Sequence, residues 1–188
     1  MTLPTIIVGI TGTLGAGKGA IVRHLGIKGF RHYSVREFLI NEIKKRRLPI
    51  NRDSMNMIGE ELRHQFGASF IIDELHKKAI KNGGNAVIES VRAVGEVDSL
   101  KKKRAFLLAV DADPRVRYER IVNRGSETDS VSYEKFIADE ERESRATDPA
   151  QMNIRECIKR ADFVIWNDTT LENLHHTVDD VLERLQVV

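Results

Sequence analysis

The pattern of hydrophobic and polar residues predicts five short strands along the chain, and helical patterns separate them. The fourth of these strands is continuously apolar, which is typical of a strand buried on both faces of a parallel sheet. Strands that alternate with helices predict an α/β fold with right-handed crossovers, in which the functional groups lie at the carboxyl ends of the strands. We predict the strands at Thr5–Thr11, Phe30–Ser34, Ala86–Ser90, Ala105–Val110 and Phe163–Trp166.

Capping residues, glycines and prolines define the predicted helices. The first helix follows Lys18 and reaches about Leu25, because Gly26 and Gly29 come next. Ser34 is the predicted N-cap of a second helix that ends near Arg47. The remaining predicted helices are Met55–Gln65 (capped by Asp53 or Ser54), Ser69–Lys81, Gly95–Lys103, Pro114–Arg124, Ser132–Arg145, a shorter helix ending at Arg160, and a closing helix to Leu185. A polar loop is predicted at residues 126–130.

The first strand runs into a glycine-rich turn, a lysine and a helix. The spacing Gly12-x-x-x-x-Gly17-Lys18 is that of a phosphate-binding loop. Glycines let successive backbone N–H groups point at one anion, and the helix adds the positive end of its dipole. The lysine reaches the β- and γ-phosphates. The loop is therefore predicted to bind a nucleoside triphosphate through Gly12, Thr13, Leu14, Gly15, Ala16, Gly17, Lys18, Gly19 and Ala20.

Two charged residues at the end of the third strand and just after it are candidates for binding Mg²⁺ and a substrate phosphate. Gly19 stands where such loops usually place a Ser or Thr hydroxyl on Mg²⁺, so the metal needs another partner. Glu89 closes the third strand, where a carboxylate can meet Mg²⁺ directly or through water, and we predict it as the metal ligand. Arg92, three residues later, can hold a substrate phosphate bidentately.

Three arginines share one face of the helix after the fourth strand. Arg117, Arg120 and Arg124 are spaced at i, i+3 and i+7, and a polar loop follows them. Phosphoryl transfer needs several cations around the transferred group and a site closed to water. The pattern favours a lid that carries these cations.

Length, net charge and cysteine content exclude several classes of protein. A length of 188 residues suits one domain, and a net charge of +2 is too small for a general nucleic-acid binder. The basic clusters at 44–47 and 101–104 are interpreted as solvated helix ends. The single cysteine, Cys157, allows no intrachain disulfide, which agrees with a reducing compartment, and it is interpreted as a packing residue. Without an apolar leader or a bilayer-length stretch, we expect a soluble cytoplasmic protein with no membrane or nucleic-acid partner, monomeric or weakly self-associating.

These motifs together resemble the P-loop nucleoside-monophosphate kinase superfamily, and within it the adenylate-kinase-like and dephospho-CoA-kinase-like proteins. The resemblance covers nearly the whole chain and is carried by residues 12–19, 33–39, 60–63, 87–92, 117–125 and 161–171. It implies a three-layer α/β/α fold with a five-stranded parallel sheet in the order 2-3-1-4-5, and ATP and Mg²⁺ as cosubstrate and metal. It also implies one domain, 1–188, with a core (1–33, 81–119 and 146–188), an acceptor-binding helical region (34–80) and a lid (120–145).

The same resemblance implies roles for individual residues. Ser34, Glu37 and Arg63 would line the acceptor site, and Arg92 would hold the acceptor phosphate. Lys18, Arg92, Arg120 and Arg124 would neutralise charge during transfer, and Asn167 and Asp168 would lie near the adenine. The chain departs from the family at Ala20, where a threonine is usual, and at Arg36 and Glu37, which replace Gly-Asp.

Three functions remain open from the sequence. A kinase for a nucleoside or deoxynucleoside monophosphate is favoured by the helical stretch from Ser34 to Arg63. A phosphate acceptor needs no strong protein base. Dephospho-CoA kinase activity is favoured by the ending of the chain and would need a base, for which Glu37 or Glu89 is the candidate. A nucleotide-binding regulatory ATPase without an acceptor would fit the missing loop hydroxyl and the basic clusters.

Overall fold

The sheet of this protein has five parallel strands in the order β2-β3-β1-β4-β5. The computed structural model describes residues 5–125 and 132–186. In the central strand, Val8 lies beside Val87 of β3 and Phe106 of β4. The α/β class and the strand order are therefore confirmed. The strands are β1 (Ile7–Gly12), β2 (Arg31–Ser34), β3 (Ala86–Glu89), β4 (Phe106–Asp111) and β5 (Phe163–Trp166).

Helices connect the strands and cover both faces of the sheet. They are α1 (Lys18–Ile27), α2 (Val35–Lys45), α3 (Arg52–Phe66), α4 (Phe70–Asn82), α5 (Val94–Lys102), α6 (Pro114–Arg124), α7 (Tyr133–Glu143), α8 (Ile154–Lys159) and α9 (Leu171–Gln186). The predicted polar loop at residues 126–130 lies outside the described ranges. The basic clusters at 44–47 and 101–104 do fall at the ends of α2 and α5. None of the helices in the described parts of the chain is both long enough and apolar enough to cross a membrane.

Two of the predicted helix boundaries that differ from the structure have clear local reasons. Helix α1 continues through Gly26 to Ile27, and the chain turns only at Gly29, whose φ of 88° is left-handed. Helix α3 begins at Arg52 rather than at Met55. Its N-cap is Asn51, whose side chain accepts a hydrogen bond from the backbone N–H of Ser54 at 2.8 Å.

Alternating side chains of the strands build two apolar layers. Ile7, Ile88 and Leu107 belong to the layer under α2–α5 and α8, which also buries Cys157 and confirms its packing role. Ile10 and Val110 belong to the opposite layer, under α1 and α9. Each fully buried aliphatic side chain contributes about 1.5–3 kcal/mol of transfer free energy. Because helices cover both faces, the carboxyl ends of the strands are left for a ligand.

Candidate active site

The turn after β1 has the most constrained backbone in the site. Gly12, Gly15 and Gly17 have φ values of 143°, 82° and 108°. A Cβ atom at Gly12 would lie 2.1 Å from the carbonyl oxygen of Val110, so both the backbone angle and the available space require glycine there. Helix α1 starts directly after this turn at Lys18. The loop and the helix N-terminus together form a concave anion site.

Lys18 lies within the loop, and no carboxylate of residues 5–125 or 132–186 is bonded to it. Its Nζ donates hydrogen bonds to the carbonyl oxygens of Gly12 (2.9 Å) and Thr13 (2.7 Å). Burial, followed by repulsion from Arg92, lowers the pKa of Lys18 to about 7. A phosphate group beside Nζ would supply the missing negative charge.

Binding of ADP at pH 8 is therefore expected to take up protons. With a pKa of about 7, about a tenth of the free Lys18 side chains are charged at pH 8. Phosphate oxygens favour the charged form, so binding takes up as much as about 0.9 proton at pH 8 and about 0.1 at pH 6. Calorimetry in buffers of different ionisation enthalpy measures this uptake, and Lys18→Met should remove it. An unchanged uptake in the variant would assign the proton to another group.

Side chains after β5 fasten the loop from one side. Asn167 is buried, and its Nδ2 donates to the carbonyl oxygen of Ala16 at 2.8 Å. Asp168 is exposed and accepts hydrogen bonds from the backbone N–H of Asp113 (2.7 Å) and from Trp166 Nε1. The two residues predicted near the adenine thus join the end of β5 to the loop and to the start of α6.

Asp111 and Arg117 fasten the loop from the other side. The hydroxyl of Thr13 donates to Asp111 Oδ1 at 2.5 Å. Arg117 is only 3 % exposed, and its Nη1 lies 3.4 Å from the carbonyl oxygen of Leu14 and 2.9 Å from Glu140 Oε1 of α7. Arg117 therefore links the loop to α7 through buried contacts.

A cleft of about 160 Å³ opens beside the loop and is strongly cationic. Among the described residues, its charged lining consists of six cations and one carboxylate, Glu143. The rest of the lining is largely apolar, with Val35, Leu39 and Met55 among its members. The cations are Lys18, Arg36, Arg52, Arg63, Arg92 and Arg124. Such an excess of positive charge suits an anionic ligand with an apolar part.

Arg92 and Arg52 illustrate how these charges are arranged. The guanidinium of Arg92 has Met152 Sδ as a neighbour, 3.8 Å from Nη1. Burial lowers the pKa of Arg92, and the nearby Glu143 opposes this shift. Arg52 Nη2 donates directly to Glu143 Oε1 at 2.5 Å. The charge of Arg92 is thus compensated only at a distance, which favours a bidentate contact with a phosphate.

Glu89 lies at the end of β3, in register with Ile10 and Ser34. His32 Nε2 is 3.0 Å from Glu89 Oε2. This hydrogen bond lowers the pKa of Glu89 and raises the pKa of His32. Lys18 also acts on the Glu89 carboxylate electrostatically. Glu89 is therefore ionised and held in place at the mouth of the loop.

The residues at the loop fit Mg²⁺ only as a metal held chiefly by the nucleotide. Within the described ranges, no group of three or more His, Cys, Asp or Glu side chains is arranged to hold a metal ion. Gly19 and Ala20 offer no hydroxyl. Magnesium usually keeps several waters and takes one or two carboxylates besides phosphate oxygens. Glu89 can supply such a carboxylate.

Comparison with known proteins places the chain in a family. It matches the AAA_18 family, described as an AAA domain, over residues 8–148. The chain belongs to the AAA_18 family. It is 30% identical over 184 residues to a UPF0200 protein of Methanococcus vannielii, covering 95% of this chain and 96% of the relative. A UPF0200 protein of Pyrobaculum aerophilum is 29% identical over 183 residues, covering 96% and 98%.

Solved structures show the fold of this AAA_18 chain. Shikimate kinase from Bacteroides thetaiotaomicron superposes with a TM-score of 0.57 at 13% identity, covering 95% of this chain and 98% of that one. The TT1252 protein of Thermus thermophilus gives a TM-score of 0.59 at 20% identity, covering 96% and 98%. The resemblance to the P-loop kinase superfamily is confirmed at the level of the fold.

The predicted acceptor and lid residues of this AAA_18 domain lie in different places. Arg63, Arg92 and Arg124 line the cleft. Ser34 instead caps α2, where its Oγ accepts from the backbone N–H of Glu37 at 3.2 Å, and neither residue lines the cleft. The Nη1 of Arg120 is buried and has no hydrogen-bond partner among the described residues.

Sequence reasoning gave no place in the site to Arg52 or Glu143, and it placed Arg36 and Asp111 at the carboxyl ends of their strands without assigning either one a role there. Arg36 follows the N-cap of α2 at the carboxyl end of β2, so its position was available as a signal. Asp111 likewise ends β4. To place Arg52 at the start of α3, one has to recognise that Asn51 is the N-cap of that helix. No local pattern marks Glu143, because only the packing of α7 brings it into the cleft.

Proposed function

We propose that this protein is a kinase that transfers the γ-phosphoryl group of ATP, with Mg²⁺, to a nucleoside or deoxynucleoside monophosphate. The observation that carries the proposal is the cleft beside the phosphate loop, where six cationic side chains meet one carboxylate in the described part of the chain. Two substrates that both carry phosphate groups require this concentration of positive charge. A site for one nucleotide without an acceptor would not need arginines on α2 and α3.

The proposed roles follow the position of each residue. The loop and Lys18 hold the β- and γ-phosphates, and Asn167 and Asp168 lie on the adenine side. Residues 34–80 supply the acceptor site, with Arg63 and Arg92 on the acceptor phosphate. The lid is proposed at residues 120–145, of which the structure describes 120–125 and 132–145, and in it Arg120 and Arg124 neutralise charge. The buried Nη1 of Arg120 has no hydrogen-bond partner among the described residues, which supports a contact with a substrate anion.

The carboxylates near the site favour a phosphate acceptor over a hydroxyl acceptor. Glu89 is bonded to His32, and Glu143 is bonded to Arg52. Glu37 is exposed and lies outside the cleft lining. A ribose hydroxyl would need one of these groups as a free base, whereas a phosphate oxygen is already anionic. This arrangement ranks the ribose hydroxyl of dephospho-CoA below a nucleoside monophosphate.

The reaction needs positioning more than proton transfer. An oxygen of the acceptor phosphate attacks the γ-phosphorus, the bond from that phosphorus to the β–γ bridging oxygen breaks, and ADP leaves. Mg²⁺, when bound, supplies charge neutralisation across the β- and γ-phosphates. Lys18 and the cleft arginines hold the two anions together against their mutual repulsion.

A panel of acceptors tests the proposal. The purified protein is incubated with ATP, Mg²⁺ and, in turn, each nucleoside monophosphate, each deoxynucleoside monophosphate and dephospho-CoA, and ADP release is followed. We expect acceptor-dependent ADP release with at least one monophosphate. Turnover with dephospho-CoA alone would replace the proposed acceptor. ADP release that no acceptor changes would indicate an ATPase instead.

A further inference from the structure

The carboxylate of Glu96 accepts hydrogen bonds from two arginines that line the cleft, Arg63 and Arg92. Glu96 lies on α5 and is completely buried. Its Oε1 accepts from Arg63 Nε at 2.8 Å. Its Oε2 accepts from the backbone N–H groups of Arg92 (2.8 Å) and Ala93 (3.1 Å). Glu96 does not line the cleft, whereas Arg63 and Arg92 do.

The bond to Nε fixes the orientation of the Arg63 guanidinium. Arg63 is only 4 % exposed, and yet it lines the cleft. Because Nε is bonded to Glu96, the two Nη groups are the donors that remain for an anion in the cleft that Arg63 lines. A guanidinium recognises phosphate through a planar fork, so its orientation decides whether two bonds or one can form.

The bonds to the backbone fix the segment from which Arg92 projects. Ser90 in this segment has a φ of 74°, a left-handed conformation that is uncommon for a residue other than glycine. The backbone N–H of Asn153 also donates to the carbonyl oxygen of Arg92 at 2.9 Å. Glu96 therefore ties α3, which carries Arg63, to the end of β3, which carries Arg92.

We infer that Glu96 is a positioning residue for the acceptor site, which holds the Arg63 fork and the Arg92 segment in the geometry that binds the acceptor phosphate. The inference rests on the proposed function. A buried ion pair contributes little net stability compared with apolar residues of the same volume. Orientation of the two arginines is what an apolar pair cannot supply.

The first test compares the effect of Glu96→Gln on the KM for the acceptor with its effect on the KM for ATP. In Glu96→Gln, the amide oxygen can still accept from the Arg92 backbone, but the charge that holds Arg63 is lost. We expect the KM for the acceptor to rise at least about tenfold, which is the loss of about one oriented charge-assisted hydrogen bond. The KM for ATP should stay within about twofold, because the phosphate loop makes no bond to Glu96. A matched control is Asp98→Asn on the same helix, which removes the charge from an exposed ion pair with Arg160 of 3.0 Å. An acceptor KM that does not change in folded Glu96→Gln overturns the inference.

A double-variant cycle distinguishes positioning from a separate effect. Arg63→Met should itself raise the acceptor KM. Adding Glu96→Gln to it should raise that KM by no more than about threefold further, because the amide oxygen still accepts from the Arg92 backbone and the lost charge acts through Arg63. Effects that multiply would show that the charge of Glu96 acts on a group other than Arg63. If Glu96→Gln does not fold, Arg63→Lys tests the same step, because it keeps the buried charge and lacks the fork. An unchanged acceptor KM in Arg63→Lys would also overturn the inference.

Binding of inorganic phosphate separates this inference from the proposed function. Calorimetric titration of phosphate into protein saturated with ADP measures the cleft without any turnover. We expect binding to the wild-type protein and at least about tenfold weaker binding to Glu96→Gln. If no acceptor in the panel is turned over but this difference is found, the proposed function fails and Glu96 remains a positioning residue for an anion. Equal binding by both proteins, or no binding by either, overturns the inference.

Discussion

Lys18→Ala is expected to lower kcat/KM for phosphoryl transfer by about 10³-fold, while the protein stays folded. Nζ lies in the loop, bonded to the carbonyl oxygens of Gly12 and Thr13. Lys18 is the one cationic side chain of the loop, so it can neutralise the negative charge that develops between the β- and γ-phosphates. Alanine removes a cation whose pKa burial has already lowered, so the free energy of unfolding should fall little.

ADP release at saturating acceptor and a thermal melt of each protein check this prediction. The control is Lys28→Ala, just beyond the end of the same helix, where Lys28 Nζ lies 3.0 Å from Asp179 Oδ1. This exposed pair contributes about 0–1 kcal/mol, so the control should keep both activity and melting temperature. Full activity in a folded Lys18→Ala protein would rule out the kinase proposal.

Arg92→Met is expected to lower kcat/KM for the acceptor by about 10²-fold and to leave the KM for ATP nearly unchanged. The guanidinium of Arg92 lies beside Met152 Sδ and has Glu143 nearby as a source of negative charge. A phosphate in the cleft would replace that distant compensation with direct bonds. Methionine keeps much of the volume and removes a buried charge, so the loss should appear in acceptor binding rather than in folding.

Initial rates with each substrate varied in turn test the role of Arg92. Arg160→Met serves as the control, because Arg160 forms ion pairs with Asp98 and Glu156 on the surface. Its kinetic constants should match those of the wild-type protein. A rise in the KM for ATP with an unchanged acceptor KM would move Arg92 to the donor side of the site.

Local patterns were enough to predict the elements and the loop. Turn residues and short strand-like runs predicted the five strands, and the run that became β4 was the clearest because a strand buried on both faces is continuously apolar over a few residues. The glycines of the loop are required by backbone angles and by a close carbonyl at Gly12, both of which depend on nearby geometry. The cap of α6 is local in the same way, because the side chain of Asp113 accepts from the backbone N–H of Arg115.

Charged residues were harder to interpret, because a charge in sequence does not reveal its partner. The spacing of Arg117, Arg120 and Arg124 predicted that all three lie on one helix face and serve as the cations of a lid. In the structure Arg117 is buried and bonded to the loop and to α7, whereas Arg124 lines the cleft. Burial and long-range partners separate residues that look equivalent along the helix.

The sequence by itself determined the α/β class, the phosphate loop and the edge of the sheet at which ligands bind. Each depends on interactions within a few residues, or on a strand period that the chain displays directly. The tertiary structure alone decided how the polar and charged groups pair: His32 with Glu89, Arg63 with Glu96, Arg52 with Glu143, Thr13 with Asp111, and Asn167 with the carbonyl oxygen of Ala16. These partners are far apart along the chain, and hydrogen bonds act over about 3 Å. Only the packing of the helices on the sheet brings such groups within reach of one another.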